Sequence, residues 1–261
     1  MFLTGIITFH LLTSVLTHLH FEIRLHDIMI TWLLPIFAFL LGSIPFGLLI
    51  AKSKGINIRE HGSGNIGATN VLRIVGKKYG ISCFFLDFLK GVIPALLAYN
   101  LFKFNGSGET MTIHVIRQHA VDLGNAQFKA QAFQVITGLC AILGHNYSPW
   151  VNFKGGKGIA TSAGVLMAFM PFATLLLILI FIITFYTTRY VSVASMVAAG
   201  SLPLLFLYES WKHGKLQTDE WNKPLFIFCI LIGALAIWKH RSNIRNLLAG
   251  TEHKFTRKNK S

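Results

Sequence analysis

Residues 158–208 read GIATSAGVLMAFMPFATLLLILIFIITFYTTRYVSVASMVAAGSLPLLFLY, and Arg189 is the one charged side chain among them. One crossing of a hydrocarbon core takes about 20 apolar residues, so the stretch is too long for a single pass. Met170-Pro171 and Arg189 divide it, predicting spans over 158–172, 173–188 and 190–208. The apolar character is continuous and does not alternate, which selects helices over a barrel.

Working outward, the same reading places spans at 30–51, 79–102, 131–148 and 224–238. The expected fold is an all-α integral membrane protein of about seven transmembrane helices with cytoplasmic motif loops. Composition agrees: charged residues make up 13% of the chain, against about a quarter in soluble domains. The predicted organisation is an N-terminal extension over 1–28, a seven-helix domain over 29–253 and a basic cytoplasmic tail over 254–261. Phe2–Leu19 is apolar but interrupted by His10 and His18, and it lacks a positively charged start. That argues against a cleaved signal peptide and leaves Met29 as an alternative initiator. Residues 104–130 are polar and read as an outer loop with a short amphipathic helix. Cys83, Cys140 and Cys229 lie in apolar stretches without metal-ligand spacing and read as small buried hydrophobes.

The net charge of +14 follows topology. Lys52, Lys54, Arg59, Arg73, Lys77, Lys78, Lys154, Lys157, Arg189 and the C-terminal basic residues place sixteen cations on one side, against six on the other. By the excess of Lys and Arg in cytoplasmic connections, the richer side is cytoplasmic. Nucleic acid as a partner is disfavoured for the same reason.

Polar residues gather in those connections. His61-Gly62-Ser63-Gly64-Asn65-Ile66-Gly67-Ala68-Thr69-Asn70, with Arg73, combines turn-forming glycines, neutral hydrogen-bonding groups and a guanidinium fork suited to phosphate. It lacks the Gly-Lys-Ser/Thr ending of a P-loop; an ordinary Gly/Asn-rich turn is the plainer reading. Gly144-His145 and Phe153-Lys154-Gly155-Gly156-Lys157-Gly158-Ile159-Ala160-Thr161 form a second cluster. If Gly158 opens a helix, its free N–H groups and positive dipole end make an anion site beside Lys157; the alternative is a flexible basic loop. The third cluster is His240-Arg241-Ser242-Asn243-Ile244-Arg245 with Gly250-Thr251-Glu252. If the preceding helix continues, His240 and Asn243 share a face; a lipid-attracted basic tail competes with that reading. Asp87 and Lys90, three residues apart inside a span, read either as a structural ion pair or as part of a site. Ser192 and Ser195 open the sixth span as potential anion donors or as small packing residues. The residues thus describe a membrane site for phosphorylated ligands with no obvious base or nucleophile.

Ser63 through Asn70 with Arg73 resembles the first signature of the bacterial PlsY family, the acyl-phosphate-dependent glycerol-3-phosphate acyltransferases. Gly144-His145 with Phe153 through Thr161 resembles the second, and His240 through Ile244 with Gly250-Thr251-Glu252 the third. Leu86 through Gly91 and Arg189 through Ser195 are also similar, and the match runs over 33–253 apart from roughly 104–130. The resemblance implies transfer of an acyl group from acyl phosphate to the sn-1 hydroxyl of glycerol 3-phosphate, giving lysophosphatidate and inorganic phosphate. It implies a multi-pass protein of the bacterial inner membrane and a functional link to an acyl-phosphate-forming enzyme. Acyl-CoA and acyl carrier protein are not direct donors on this view, and no cofactor or metal is expected.

On this resemblance Ser63, Lys157, His240 and Asn243 carry catalysis. Ser63, Arg73, Ser195, His240 and Asn243 bind glycerol 3-phosphate; Asn65, Thr69, His145, Gly155, Gly156, Lys157 and Gly158 bind acyl phosphate. His145, His240 or the substrate's own phosphate oxygen accepts the proton, with the last preferred by the resemblance. A transporter for phosphorylated solutes is the competing class. It would need polar residues along a path through the bilayer, whereas here they sit mostly at one face.

Overall fold

The computed structural model describes residues 32–101 and 126–255. Ten α-helices occur among them: α1 over 32–43, α2 Phe46–Lys52, α3 Ala68–Ile74, α4 Lys77–Leu101, α5 Ala126–Asn146, α6 Ile159–Phe169, α7 Pro171–Thr188, α8 Val191–Lys212, α9 Lys223–Lys239 and α10 Arg241–Leu248. Among the described residues each predicted span coincides largely with helix, the first broken at Ile44-Pro45 and the fourth at Met170. Among the described residues, four segments are long and apolar enough to cross a membrane: Trp32–Lys52, Lys77–Leu101, Pro171–Thr188 and Val191–Lys212. A fifth qualifies if α9 and α10, bent by 50°, are taken together. The expected count of seven exceeds this for two reasons. Gln127, Lys129, Gln131 and Gln134 dilute the apolar character of α5, and α6 has only 11 residues. Helix α5 also starts at Ala126, inside the stretch read as loop. The first 28 residues and the rest of the predicted outer loop lie outside the described residues.

Punctuation within the apolar run follows local chemistry. Pro171 occupies the first turn of α7, where its missing N–H costs nothing. Arg189 takes a left-handed conformation (φ 66°) that ends α7 and turns the chain into α8.

Small residues set the helix spacing. Gly91 of α4 abuts the Thr161 carbonyl of α6, and Gly164 of α6 abuts the Phe88 carbonyl of α4. Gly42 of α1 and Gly144 of α5 likewise lie against the carbonyls of Ala141 and Phe39. A methyl group at any of the four would strike backbone, so these contacts need glycine. They hold α1, α4, α5 and α6 together at the end where the polar loops emerge. Val165 and Leu166 of α6, Leu202 and Phe206 of α8 and Phe228 and Ile232 of α9 form the main apolar core. Helix α7 lies outermost, with 17% of its apolar window buried and Leu175, Leu179 and Ile183 exposed, as a lipid-facing helix requires.

Pro45 separates α1 from α2 and frees carbonyls at a depth where unpaired backbone is costly. Ser148 donates from Oγ to the Ser43 carbonyl at 2.6 Å. Lys90 donates from Nζ to the Ile44 carbonyl at 2.8 Å. That lysine is 2% exposed and pairs with Asp87 at 2.8 Å. The Asp87–Lys90 pair therefore stitches α4 to the break in the first span.

Candidate active site

The first glycine-rich loop is organised by Asn70. Its Oδ1 accepts from the Ser63 N–H at 3.1 Å, and its Nδ2 donates to the carbonyls of His61 (3.0 Å) and Asn65 (2.9 Å). Asn65 in turn accepts from the Gly67 N–H at 2.8 Å, tying down the start of α3. Gly62 and Gly64 both take positive φ (60° and 65°), which lets the loop close tightly over Asn70. The product is a compact turn that presents Ser63, Asn65 and Thr69 on one side, with Arg73 a turn further along α3.

The second loop packs onto the end of α5. The N–H groups of Gly155 and Gly156 donate to the carbonyls of Asn146 (3.2 Å) and His145 (3.1 Å). Gly156 lies directly against Nε2 of the His145 ring, leaving no room for a side chain. Gly158 follows with φ 79° and caps α6, so the first turn of that helix opens toward the site without a side-chain cap. Lys157 stands between, its Nζ donating to Oδ1 of Asn243.

The third cluster departs from the continuous helix expected. The chain bends by 50° at His240, between α9 and α10. His240 Nδ1 lies 2.8 Å from the Ala236 carbonyl, so the neutral ring donates there and keeps Nε2 as an acceptor. Asn243 spans the gap to the C-terminal segment: its Nδ2 donates to Glu252 Oε1 at 2.7 Å, and Ser192 Oγ donates to the same oxygen at 2.7 Å. A chain of polar contacts thus runs Lys157–Asn243–Glu252–Ser192. Ser195, one turn along α8, donates to the Val191 carbonyl at 2.9 Å.

These elements enclose a cavity of about 390 Å³. Its polar wall carries Ser63, Asn65, Thr69, Arg73, His145, Lys157, Gly158, Ser195, His240 and Asn243, together with Asp87, Ser192 and Glu252. Phe84 and Phe181 supply an apolar side. Two cations, Arg73 and Lys157, share the wall with two carboxylates, Asp87 and Glu252, and burial strains the cations. Desolvation lowers the Lys157 ammonium to about 8, with Arg73 adding repulsion and Glu252 opposing both. Burial, then Lys157, lowers His240 to about 4. The Arg73 guanidinium is shifted down by burial and partly restored by Glu252. A cavity that strains its cations by desolvation gains by taking up an anion.

The model of the family described as glycerol-3-phosphate acyltransferase matches residues 32–250. The chain belongs to the PlsY family. Among its curated relatives, the glycerol-3-phosphate acyltransferase of Aquifex aeolicus is 43% identical over 85% of this chain and 97% of its own length. That of Geotalea daltonii is 41% identical over 84% and 95%. Two crystal structures of PlsY, an integral membrane glycerol 3-phosphate acyltransferase, share 42% identity with the chain. The glycerol 3-phosphate form covers 87% of this chain and 96% of its own, with a TM-score of 0.67. The lysophosphatidic acid form gives 87%, 95% and 0.65.

Within this PlsY-family chain, ten of the twelve residues nominated from sequence meet around one cavity. Gly155 and Gly156 do not line it; their backbone donors are committed to the end of α5, and the bare α-carbon of Gly155 admits the His145 carbonyl while that of Gly156 admits the His145 ring. Asp87, Ser192 and Glu252 also line it; the sequence offers Ser192 as a potential anion donor and Asp87 as a structural pair or part of a site, and assigns no substrate to any of the three. Asp87 had a signal, since its carboxylate sits three residues from Lys90 inside an apolar run. Glu252 had a weaker one, as the one acidic residue in the third cluster.

Proposed function

We propose that this protein transfers an acyl group from acyl phosphate to the sn-1 hydroxyl of glycerol 3-phosphate, releasing lysophosphatidate and inorganic phosphate as the first step of phospholipid synthesis. The observation that carries the reading is the convergence of Arg73, Lys157, His240 and Asn243, from three separate segments of the chain, on one cavity with an apolar flank. The glycerol 3-phosphate and lysophosphatidic acid forms of the related PlsY structure support the same substrate and product. We further infer seven membrane passes, with α5 and α6 crossing as short or polar helices inside the bundle. The cation-rich loops then face the cytoplasm of a bacterial inner membrane.

An acyl phosphate is a mixed anhydride, so its carbonyl needs little activation. The protein's task is to hold two phosphates that repel each other and to align a hydroxyl with that carbonyl. Positioning of this kind contributes on the order of 7–11 kcal/mol. Lys157 and the first-turn N–H groups of α6 hold the acyl phosphate's phosphoryl group and stabilise charge on it as it leaves. Asn243 keeps Lys157 in place. Arg73 takes the phosphate of glycerol 3-phosphate as a planar fork, and Ser63, Ser195 and His240 Nε2 orient its hydroxyls. The hydroxyl oxygen bonds to the carbonyl carbon, the carbon–oxygen bond to phosphate breaks, and a substrate phosphate oxygen takes the proton. A histidine lowered to about 4 is a poor base at neutral pH, which favours that acceptor over His240. The acyl chain lies along the Phe84 and Phe181 side, open to lipid.

The test uses purified protein in lipid with radiolabelled glycerol 3-phosphate and, in parallel, palmitoyl phosphate, palmitoyl-CoA or palmitoyl-acyl carrier protein. Lysophosphatidate from palmitoyl phosphate alone is expected. Product from a thioester alone overturns the donor, and product from none, in folded protein, overturns acyl transfer.

A further inference from the structure

After α10 the chain does not leave the protein. Gly250, at φ 70°, reverses its direction, and residues 251–255 cross the mouth of the cavity as a strap. Glu252 accepts from Ser192 and Asn243. The His253 carbonyl accepts from Arg73 Nη2 at 3.1 Å. Lys254 Nζ lies 5.8 Å from the centre of the Tyr190 ring. Phe255 closes the strap: its N–H donates to the Arg189 carbonyl at 2.9 Å, and its ring meets Phe185 of α7 edge-on at 5.5 Å. Residues 254 and 255, assigned from sequence to a basic cytoplasmic tail, make these packing contacts with α7 and the turn before α8.

The consequence falls on Arg73. Its guanidinium lies over the Phe255 ring, 5.3 Å from the centroid, while the His253 carbonyl takes one terminal nitrogen. A guanidinium is planar, so a ring on its face and an acceptor on its edge together fix plane and rotation. Arg73 is long and half-buried at the wall of the cavity, and without such a seat it would sample many rotamers before meeting a ligand. The remaining N–H donors stay available to an anion.

We infer that Phe255 is a positioning residue for glycerol 3-phosphate: clamped between the Arg189 carbonyl and Phe185, it pre-orients Arg73 for the phosphate. The inference rests on the acyltransferase reading of the cavity. Phe255 does not line the cavity itself, so its effect passes through Arg73. It predicts a defect confined to one substrate. Losing the aromatic face should weaken glycerol 3-phosphate by about 3- to 30-fold, the range of a partly desolvated cation–π contact. The turnover number and the KM for acyl phosphate should stay near wild type.

The experiment compares the full-length protein in lipid nanodiscs with Phe255→Leu, which keeps an apolar contact to Phe185, and Phe255→Trp, which restores a π face. Equilibrium binding of radiolabelled glycerol 3-phosphate is measured beside the steady-state constants for both substrates. Weaker glycerol 3-phosphate binding and a raised KM in Phe255→Leu, recovered in Phe255→Trp, are the expected results. Unchanged binding in Phe255→Leu overturns the inference. So does a joint change in kcat and both KM values that tryptophan fails to recover, because that marks a merely structural strap. Wild-type protein that binds glycerol 3-phosphate but does not turn over acyl phosphate refutes the donor assignment alone, since the binding comparison still decides the role of Phe255. Wild-type protein that binds no glycerol 3-phosphate refutes both.

Discussion

Lys157 offers the sharpest test of the site because burial has moved its titration into a measurable range. An ammonium lowered to about 8 is roughly nine-tenths charged at pH 7 and roughly one-tenth charged at pH 9. If the charged form binds and stabilises the departing phosphate, kcat/KM falls about tenfold per pH unit above pH 8. A phosphate bound beside Lys157 favours the charged form, so the alkaline limb of kcat lies at higher pH than that of kcat/KM. Lys157→Arg removes the titration, because arginine stays charged throughout, and its profile should be flat where the wild type declines. Lys157→Met keeps the length of the side chain and removes the charge. Losing a pre-organised donor to developing negative charge costs on the order of 100- to 1,000-fold in kcat. The assay is radiolabelled lysophosphatidate formation from pH 6 to 10, corrected for hydrolysis of acyl phosphate without protein. Thermal unfolding of each variant shows whether Asn243, deprived of its partner, disturbs the fold. An undiminished rate in Lys157→Met, or an alkaline limb that survives in Lys157→Arg, refutes the assignment.

Asp87→Asn removes the countercharge of the buried Lys90 ammonium and leaves it neutral acceptors alone, the new amide oxygen and the Ile44 carbonyl, and breaking a buried pair from one side costs about 3–5 kcal/mol. Thermal unfolding in detergent should show a lowered Tm, with partial recovery when Lys90→Met is added; an unchanged Tm in the single variant would show that the pair does not hold the broken span. Gly156→Ala drives a methyl group into the His145 ring, an overpacking worth about 1–3 kcal/mol, and should also displace that ring from the cavity wall. Gly155→Ala meets the His145 carbonyl, which is backbone and cannot rotate away, so it should be the more damaging of the two in both unfolding temperature and activity.

Much of this was legible in the sequence because it is local. The apolar stretches, the break at Pro171, the turn at Arg189 and the helix start after Gly158 each follow from a few neighbouring residues. The polar clusters were legible too, since charge is excluded from the spans and what remains gathers at their ends. What was not legible depends on distant partners. Gly155 and Gly156 resemble free anion donors until the end of α5 is seen to take both N–H groups. The bend at His240 carries no proline or glycine to announce it. Lys90 looked like half of a pair within one helix, yet its second partner, the Ile44 carbonyl, is 46 residues away. The contact of Arg73 with the strap spans 180 residues, so no motif contains both ends.

That long-range wiring also separates the two classes of function the sequence left open. A transport path needs polar groups that exchange partners as a solute passes. Asp87 and Lys90, the deepest charged residues described, are each 2% exposed, and they are bound to each other and to backbone freed by Pro45. Moving either would uncover a carbonyl or a charge at a depth where water does not repay it. The polar groups of the cavity gather at one end, where Lys157, Asn243, Glu252 and Ser192 form a chain of hydrogen bonds and Arg73 is seated by the strap. Between that polar end and the lipid lie Phe84 and Phe181. A cavity with a polar end and an apolar flank is suited to hold a phosphate at the first and an apolar chain at the second. That is the geometry required to join a water-soluble alcohol to an acyl group that never leaves the membrane.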